Sequence, residues 1–339
     1  MSMMGLFSRE GCYKWVDAKG DPLATLDGMV PWENLRKLLG PITFENSRGR
    51  PPLDALMMVK CLLLQALYNI ADGACEYQIN DRLSFKRFLG LAMDEKGPDE
   101  KSIWLYRERI KEAKLHEVIF AWFESELQKA GYAAQKGQII DATFVPTHKP
   151  TGKLKKQEEA GIPLTPAQER QRDQDATFTK KGNTTHHGYK AHMNVDNKHK
   201  LIREFSVTTA SVHDSQELDA VLQTPDENGE LGNSGKQAWM DSAYRSAAAL
   251  RALKAMGLRP EINHRAYKNC PLTEAQKATN KTRSKVRARV EHVFGFMEMS
   301  MGGMLIHTIG LARATVKVAF KNLGYNMRRF TYLQKRAAA

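Results

Sequence analysis

Gln138-Ile139-Ile140-Asp141-Ala142-Thr143-Phe144-Val145 is the stretch on which the fold turns. It is rich in β-branched and aromatic residues and stops at Pro146, which together read as a strand. One acid stands inside the otherwise apolar run. Downstream, His187 to Val195 and Leu201 to Thr209 are two more strand-like runs. Asp196-Asn197-Lys198 joins them, as in a hairpin. A helix over Asp214 to Leu222 comes next, then a strand, Gln237-Ala238-Trp239-Met240-Asp241. Ser246 to Met256 reads as a helix closed by Gly257, and Arg259 to Asn263 as a fifth strand. Thr282 to Met299 and Arg313 to Phe330 carry helical periodicity.

Three strands able to pair antiparallel, followed by alternating helices and strands, predict an α/β fold. The expected form is a ribonuclease-H-like domain over 136–339, a mixed five-stranded sheet flanked by helices. Residues 147–182 read as a polar insertion or mobile loop, with a helix after Pro166. Upstream the pattern is helical. Leu53, Leu56, Met57, Cys61, Leu64 and Leu67 recur at spacings of three and four. Gly73 interrupts. Leu83 to Leu89 is a short helix closed by Gly90. Two more helices follow, one starting near Asp99 to Ser102 and one over Leu115 to Ala130. Residues 1–50 look loosely organised, with Asp27-Gly28 and Gly40-Pro41 as turn signals. Residues 1–135 are therefore expected to form an all-helical domain.

The chain has 339 residues, 42% of them hydrophobic, enough for a substantial core. Leu53 to Ile70 is broken by Asp54, Lys60, Gln65 and Asn69, so it is not expected to span a membrane. Arg9 and Glu10 stand where a signal peptide needs an apolar core. A cytoplasmic protein is the expectation. Cys12, Cys61, Cys75 and Cys270 form no Cys-x-x-Cys pair, which argues against a cysteine zinc site or a disulfide framework. Net charge is +13, from 51 basic and 38 acidic residues. Residues 1–135 hold 18 basic and 19 acidic residues, a net of −1; the other 33 and 19 give +14 beyond them. That bias points to a polyanion, most simply nucleic acid.

Asp141 and Asp241 each end an apolar run on a predicted strand, and strand ends are where α/β sheets build sites. An acid at the end of a buried strand costs several kcal/mol, roughly, unless something neutralises it. Two such acids on neighbouring strands suit a hard divalent cation. For either Asp alone, an ordinary turn acid is the simpler account. Asp-Ala-Thr-Phe occurs again at 175–178, but behind the polar Gln171-Arg172-Asp173-Gln174. Asp175 is therefore assigned to the insertion surface. On the Thr282–Met299 helix, Arg287, Glu291 and Glu298 share a face. Among Arg283, Lys285 and Arg289, Glu291 is either a salt-bridge partner or a metal ligand.

Five segments stand in an order that resembles the insertion-sequence-5 family of bacterial DDE transposases. They are Ile140-Asp141-Ala142-Thr143, His187-Gly188-Tyr189-Lys190-Ala191-His192, Val212-His213-Asp214-Ser215, Met240-Asp241-Ser242-Ala243-Tyr244 and Arg287-x-x-x-Glu291-His292. Arg48-Gly49-Arg50-Pro51-Pro52, Asp81-Arg82-Leu83-Ser84-Phe85 and Pro98-Asp99 extend the likeness over roughly residues 40–330. The resemblance implies that Asp141, Asp241 and Glu291 are a catalytic, metal-holding triad. It implies two Mg²⁺ ions, with Mn²⁺ able to substitute, and two-metal cleavage and joining of DNA. It further implies a homodimer or larger assembly on double-stranded DNA in a bacterial nucleoid. The family's last motif is commonly Tyr-x2-Arg-x3-Glu-x6-Lys. Here Ser284 stands at the Tyr position and Glu298 at the Lys position, and Lys285 is a candidate for the missing charge.

Candidate DNA contacts are Arg287, Lys285, Lys190, the helical series Arg313, Lys317 and Lys321, the loop cluster Lys153, Lys155 and Lys156, and Arg48 with Arg50. The helical series reads either as a phosphate-tracking stripe or as a solvated face. Asp99 to Ile110 reads as a recognition helix or a dimer contact. His186, His187, His192 and His213 lack zinc-hydrolase spacing. The competing functional readings are a ribonuclease-H-like nuclease that does not join, and a non-catalytic DNA-binding regulator.

Overall fold

The computed structural model describes residues 9–43, 51–149, 152, 156–157, 160–222 and 237–338. The chain divides into two compact units, Met1–Phe123 with Leu323–Ala339, and Glu124–Asn322. The division falls inside two helices, not at the expected 135/136 boundary, and it groups the C-terminal residues with the N-terminal unit.

The first unit is helical. Its elements are α1 (Arg9–Ala18), α2 (Pro22–Met29), α3 (Trp32–Arg36), α4 (Ala55–Tyr68), α5 (Asp72–Asp81), α6 (Leu83–Leu89), α7 (Glu100–Glu112) and the start of α8 (Leu115–Lys129). The expectation of a loose first fifty residues is corrected for the described residues 9–43. Asp21 caps α2 through the Leu23 amide, Pro22 opens the helix, and Leu23, Leu26, Trp32, Leu35, Leu39 and Ile42 are buried. Asp27 and Gly28 lie inside that helix rather than in a turn. Helix α4 is buried around most of its circumference and is a core helix. Asp54 caps its start, and Asn69 ends it in the left-handed region. Gly73 does not separate elements by a gap; it sits in the first turn of α5. No single helix among the described residues is long and apolar enough to cross a membrane.

The second unit is built on a mixed sheet of six strands, not five: β1 (Gln138–Pro146), β2 (Thr177–Lys181), β3 (Thr184–Asp196), β4 (Ile202–Thr209), β5 (Gln237–Met240) and β6 (Arg259–Ile262). Strand β3 runs antiparallel to β1 on one side; β5 lies parallel to β1 and β6 parallel to β5. Strand β2 pairs with the first residues of β3 and β4 with the rest. The missed strand, β2, lies at the end of the predicted insertion. Its side chains are mostly exposed or half-buried, so it lacks the apolar alternation that announces a strand.

Helices α9 (Pro166–Gln171), α10 (Leu218–Val221), α11 (Ala247–Ala255), α12 (Glu274–Ser300) and the first part of α13 (Leu311–Ala338) complete this unit. Side-chain alternation divides β1 between two layers. Ile140, with Ala238 and Met240 of β5, joins Leu218, Val221, Tyr244, Leu253 and Ile262 in a core under α10 and α11. The opposite face carries Asp141 and is covered by α12, which packs on β1 and β5. Two glycines make this closeness possible. A Cβ on Gly188 of β3 (φ +142) would stand 2.3 Å from the Val145 carbonyl oxygen, and one on Gly137 (φ +85) would stand 2.5 Å from the Trp239 ring.

Candidate active site

Strands β1 and β5 pair with Gln138 opposite Ala238 and Ile139 opposite Trp239. Asp141 and Asp241 each lie three residues beyond the first of these pairs. Asp141 thus lies on β1 and Asp241 just past the end of its parallel neighbour β5, near enough for the charge of Asp241 to bear on Asp141. β5 ends at Met240, and its next residue, Asp241, caps a 3₁₀ turn over Ser242–Tyr244 by accepting the Ala243 amide at 2.8 Å. Asp141 accepts the amide of Ala142 through Oδ1 at 2.9 Å, and its Oδ2 accepts from Nη2 of Arg287 at 3.0 Å. Burial pushes the Asp141 carboxyl above the usual range and the Asp241 charge adds to this, while Arg287 opposes it. Two acids at one strand end in a desolvated place form an anionic site that calls for a cation.

Helix α12 brings the third acid. Thr273 and Gln276 form a reciprocal capping box at its start, and Val290, Val293 and Met297 bury one face. Glu291 lies one turn beyond Arg287. It is exposed and makes no hydrogen bond or ion pair among the described residues. The salt-bridge alternative for Glu291 thus finds no partner there, because Arg287 is engaged by Asp141 instead. No group of three His, Cys, Asp or Glu residues is placed to hold a metal ion among the described residues. The structure thus sets Asp141 and Asp241 side by side, and leaves Glu291 on the covering helix without closing the three into one cage.

Asp214 and Tyr244 also belong to this neighbourhood, and sequence reasoning gave them no role. Tyr244 is 1% exposed, and its hydroxyl has no partner among the described residues. Burial pushes its phenol well above the usual range, and Asp214, Asp141 and Asp241 add to the push. The signal was present: both residues lie within quoted motifs.

The proposed DNA contacts have different fates. Lys190 is tied by its ammonium to the Val212 carbonyl at 2.7 Å and to Asp214 at 3.0 Å, and its side chain is 12% exposed. It is a paired internal cation, not a free surface charge. Lys321 is a correction to the expected stripe. It is 4% exposed, bonds the Met301 carbonyl, and burial lowers its ammonium to about 8. Arg313 and Lys317 are half-buried, with Arg313 bonding the Ile309 carbonyl. Lys285 and Lys156 are exposed. Arg48, Arg50, Lys153 and Lys155 lie outside the described residues. At the two departures from the motif, Ser284 accepts from Asn263 at 3.4 Å, and Glu298 favours the charge of Lys321.

The second Asp-Ala-Thr-Phe copy has a structural use. Asp175 accepts the Leu311 amide at 2.8 Å, at the start of α13, where a carboxylate satisfies an orphan donor. Asp173 accepts from the Tyr189 hydroxyl at 2.7 Å and the Gly310 amide at 3.3 Å. Nearby, His148 and His307 are joined ring to ring at 2.9 Å.

Comparison with known families agrees with this arrangement. A family described as "Transposase DDE domain" matches residues 133–327, and one described as "Transposase domain (DUF772)" matches residues 10–109. No solved structure gives a significant match. DDE transposase domains generally use divalent metal ions. The first match covers more than half of the chain and spans the whole sheet with its carboxylates, so this chain belongs to the DDE transposase family.

Proposed function

We infer that the protein cleaves the ends of an insertion sequence and joins their 3′-hydroxyls to target DNA, in the manner of the insertion-sequence-5 group. The observation that carries this is the pairing of Asp141 on β1 with Asp241 at the end of the adjacent parallel strand β5, next to the helix that bears Glu291. Their chemistry fits a hard divalent cation: two desolvated carboxylates, one already holding a guanidinium as a substitute positive charge. Asp141, Asp241 and Glu291 would hold Mg²⁺, or Mn²⁺ in its place. Such ions, when bound, supply Lewis-acid stabilisation of the phosphoryl group and an activated oxygen nucleophile.

The chain's own groups prepare this site. The Ala142 and Ala243 amides orient the two carboxylates through their Oδ1 atoms, which leaves Oδ2 of each directed elsewhere. The core under α10 and α11 excludes water from one side of the strand end. Helix α12 supplies Lys285 and Arg287 for phosphate oxygens. The assembly is expected to be at least a dimer on double-stranded DNA, acting in the bacterial cytoplasm on the nucleoid.

Asp141→Asn, Asp241→Asn and Glu291→Gln test the reading. Each is expected to lower Mg²⁺-dependent cleavage of an element-end duplex by about a thousandfold or more, with duplex binding retained. Wild-type cleavage in any one removes that residue from the triad. Supplying pre-cut ends separates a transposase, which joins them, from a nuclease, which does not.

A further inference from the structure

We propose that Arg287 is a built-in counter-ion that occupies Asp141 while the site holds no divalent cation and has to leave it when one binds. The inference rests on the metal-site reading above and adds a competitor to it. Three observations converge. First, Arg287 Nη2 contacts Asp141 Oδ2 at 3.0 Å, and both side chains are largely buried, 18% and 19% exposed, so solvent screens the pair poorly. Second, the oxygen that Arg287 covers is the available one, because Oδ1 of Asp141 already receives the Ala142 amide. Third, the contact is a single hydrogen bond. Among the described residues it is the one bond Arg287 makes.

Permanent arginine–carboxylate pairs in this chain look different. Arg107 grips Asp72 with both Nη atoms, and Arg203 bonds both oxygens of Glu124 as well as Asp196 and the Tyr132 carbonyl. Arg287 is seated as a guest by comparison. The energetic logic follows from the surroundings. Asp141 is largely buried, and Asp241 is near enough for its charge to bear on it. Without a divalent ion, the guanidinium on the covering helix is the positive charge that faces this carboxylate. With one bound to that carboxylate, the guanidinium and the ion are two positive charges side by side, and they repel. Release would also free Arg287 one helical turn from Glu291, so movement of the guanidinium and engagement of Glu291 are linked on one face.

The test is Mn²⁺ binding to the full-length, metal-free protein by titration calorimetry, with no DNA present. Arg287→Met is expected to bind Mn²⁺ about tenfold more tightly than wild type. Arg287→Lys, which keeps the charge but has a shorter reach and no fork, is expected to fall between them, and it keeps the question answerable if the methionine variant does not fold. Lys281→Ala removes an exposed charge from the same helix and is expected to leave the affinity within about twofold, since exposed charges are well screened. Unchanged or weaker Mn²⁺ binding in the Arg287 variants overturns the proposal. If Asp141→Asn and Asp241→Asn bind Mn²⁺ like wild type, the metal-site reading fails and takes the proposal with it. If those variants lose binding and the Arg287 variants match wild type, the counter-ion idea alone fails.

Discussion

Two arginine–aspartate pairs, one in each unit, show how the same two residue types serve different ends. In the helical unit, Arg107 of α7 reaches Asp72 at the start of α5 with bonds of 2.7 and 2.5 Å, and adds Gln65 of α4 at 3.3 Å. Its side chain is 2% exposed. That group of bonds ties three helices together, with both Nη atoms of Arg107 on the two oxygens of Asp72. In the sheet unit, Arg287 gives Asp141 a single bond at a strand end that already carries a second carboxylate. One carboxylate is gripped through both oxygens, while the other is held through one. The two-point grip fixes helices; the one-point contact leaves room for a substrate or ion.

Stability measurements would break or sharpen that contrast. The largest difference is expected between Arg107→Met and Arg287→Met. The first leaves Asp72 uncompensated amid packed helices and is expected to cost about 3–5 kcal/mol in urea unfolding. The second removes a single hydrogen bond to a charged group and is expected to cost less, about 1.5–3 kcal/mol. Equal losses would remove the distinction.

A smaller effect concerns pH. The Asp141 carboxyl sits above its ordinary value because of burial. A raised folded-state value contributes stability that is complete below the unfolded value of about 4 and is lost as pH rises through the folded one. In chelator, the melting temperature of Asp141→Asn relative to wild type is therefore expected to be higher at pH 7 than at pH 4. A difference independent of pH, or of opposite sign, would show that Arg287 more than offsets the burial. The smallest effect belongs to a carboxylate used purely as a cap. Asp175→Ala is expected to cost up to about 1 kcal/mol through the Leu311 amide, with DNA cleavage unaffected. Loss of cleavage in that variant would mean that the second Asp-Ala-Thr-Phe copy does more than fasten α13.

Much of this could be read from the chain because apolar alternation and strand-end acids leave marks in sequence. Gln138–Pro146 and Gln237–Met240 carry theirs plainly, and so do the hairpin strands on either side of Asn197. Strand β2 does not, because its alternate residues face solvent or polar neighbours rather than a core. The first helices were obscured by Asp27-Gly28, a turn pair that here sits inside α2, although Asp21-Pro22 is a good helix start. The early part of α12 is so polar that periodicity points to Thr282, while the capping box at Thr273 and Gln276 marks the real beginning. Asp141 and Asp241 follow from the cost of buried charge, whereas Glu291 was reached through family resemblance, and its exposed position explains why: nothing in its local packing demands an acid. The buried state of Lys321 was hidden because helical spacing alone does not say which of two faces the sheet unit covers.

Strand β1 also sets a limit on how this protein can vary. On it Ile140 joins the core under α10 and α11, while the next residue, Asp141, faces α12 from the other side, and the close fit of Gly137 against Trp239 marks where the strand begins. A change of residue type along the strand alters one layer. An insertion or deletion of a single residue between Gly137 and Asp141 would exchange the layers, sending the carboxylate into the oily side and an isoleucine into the reactive one. The stretch can drift in composition, but its phase is fixed.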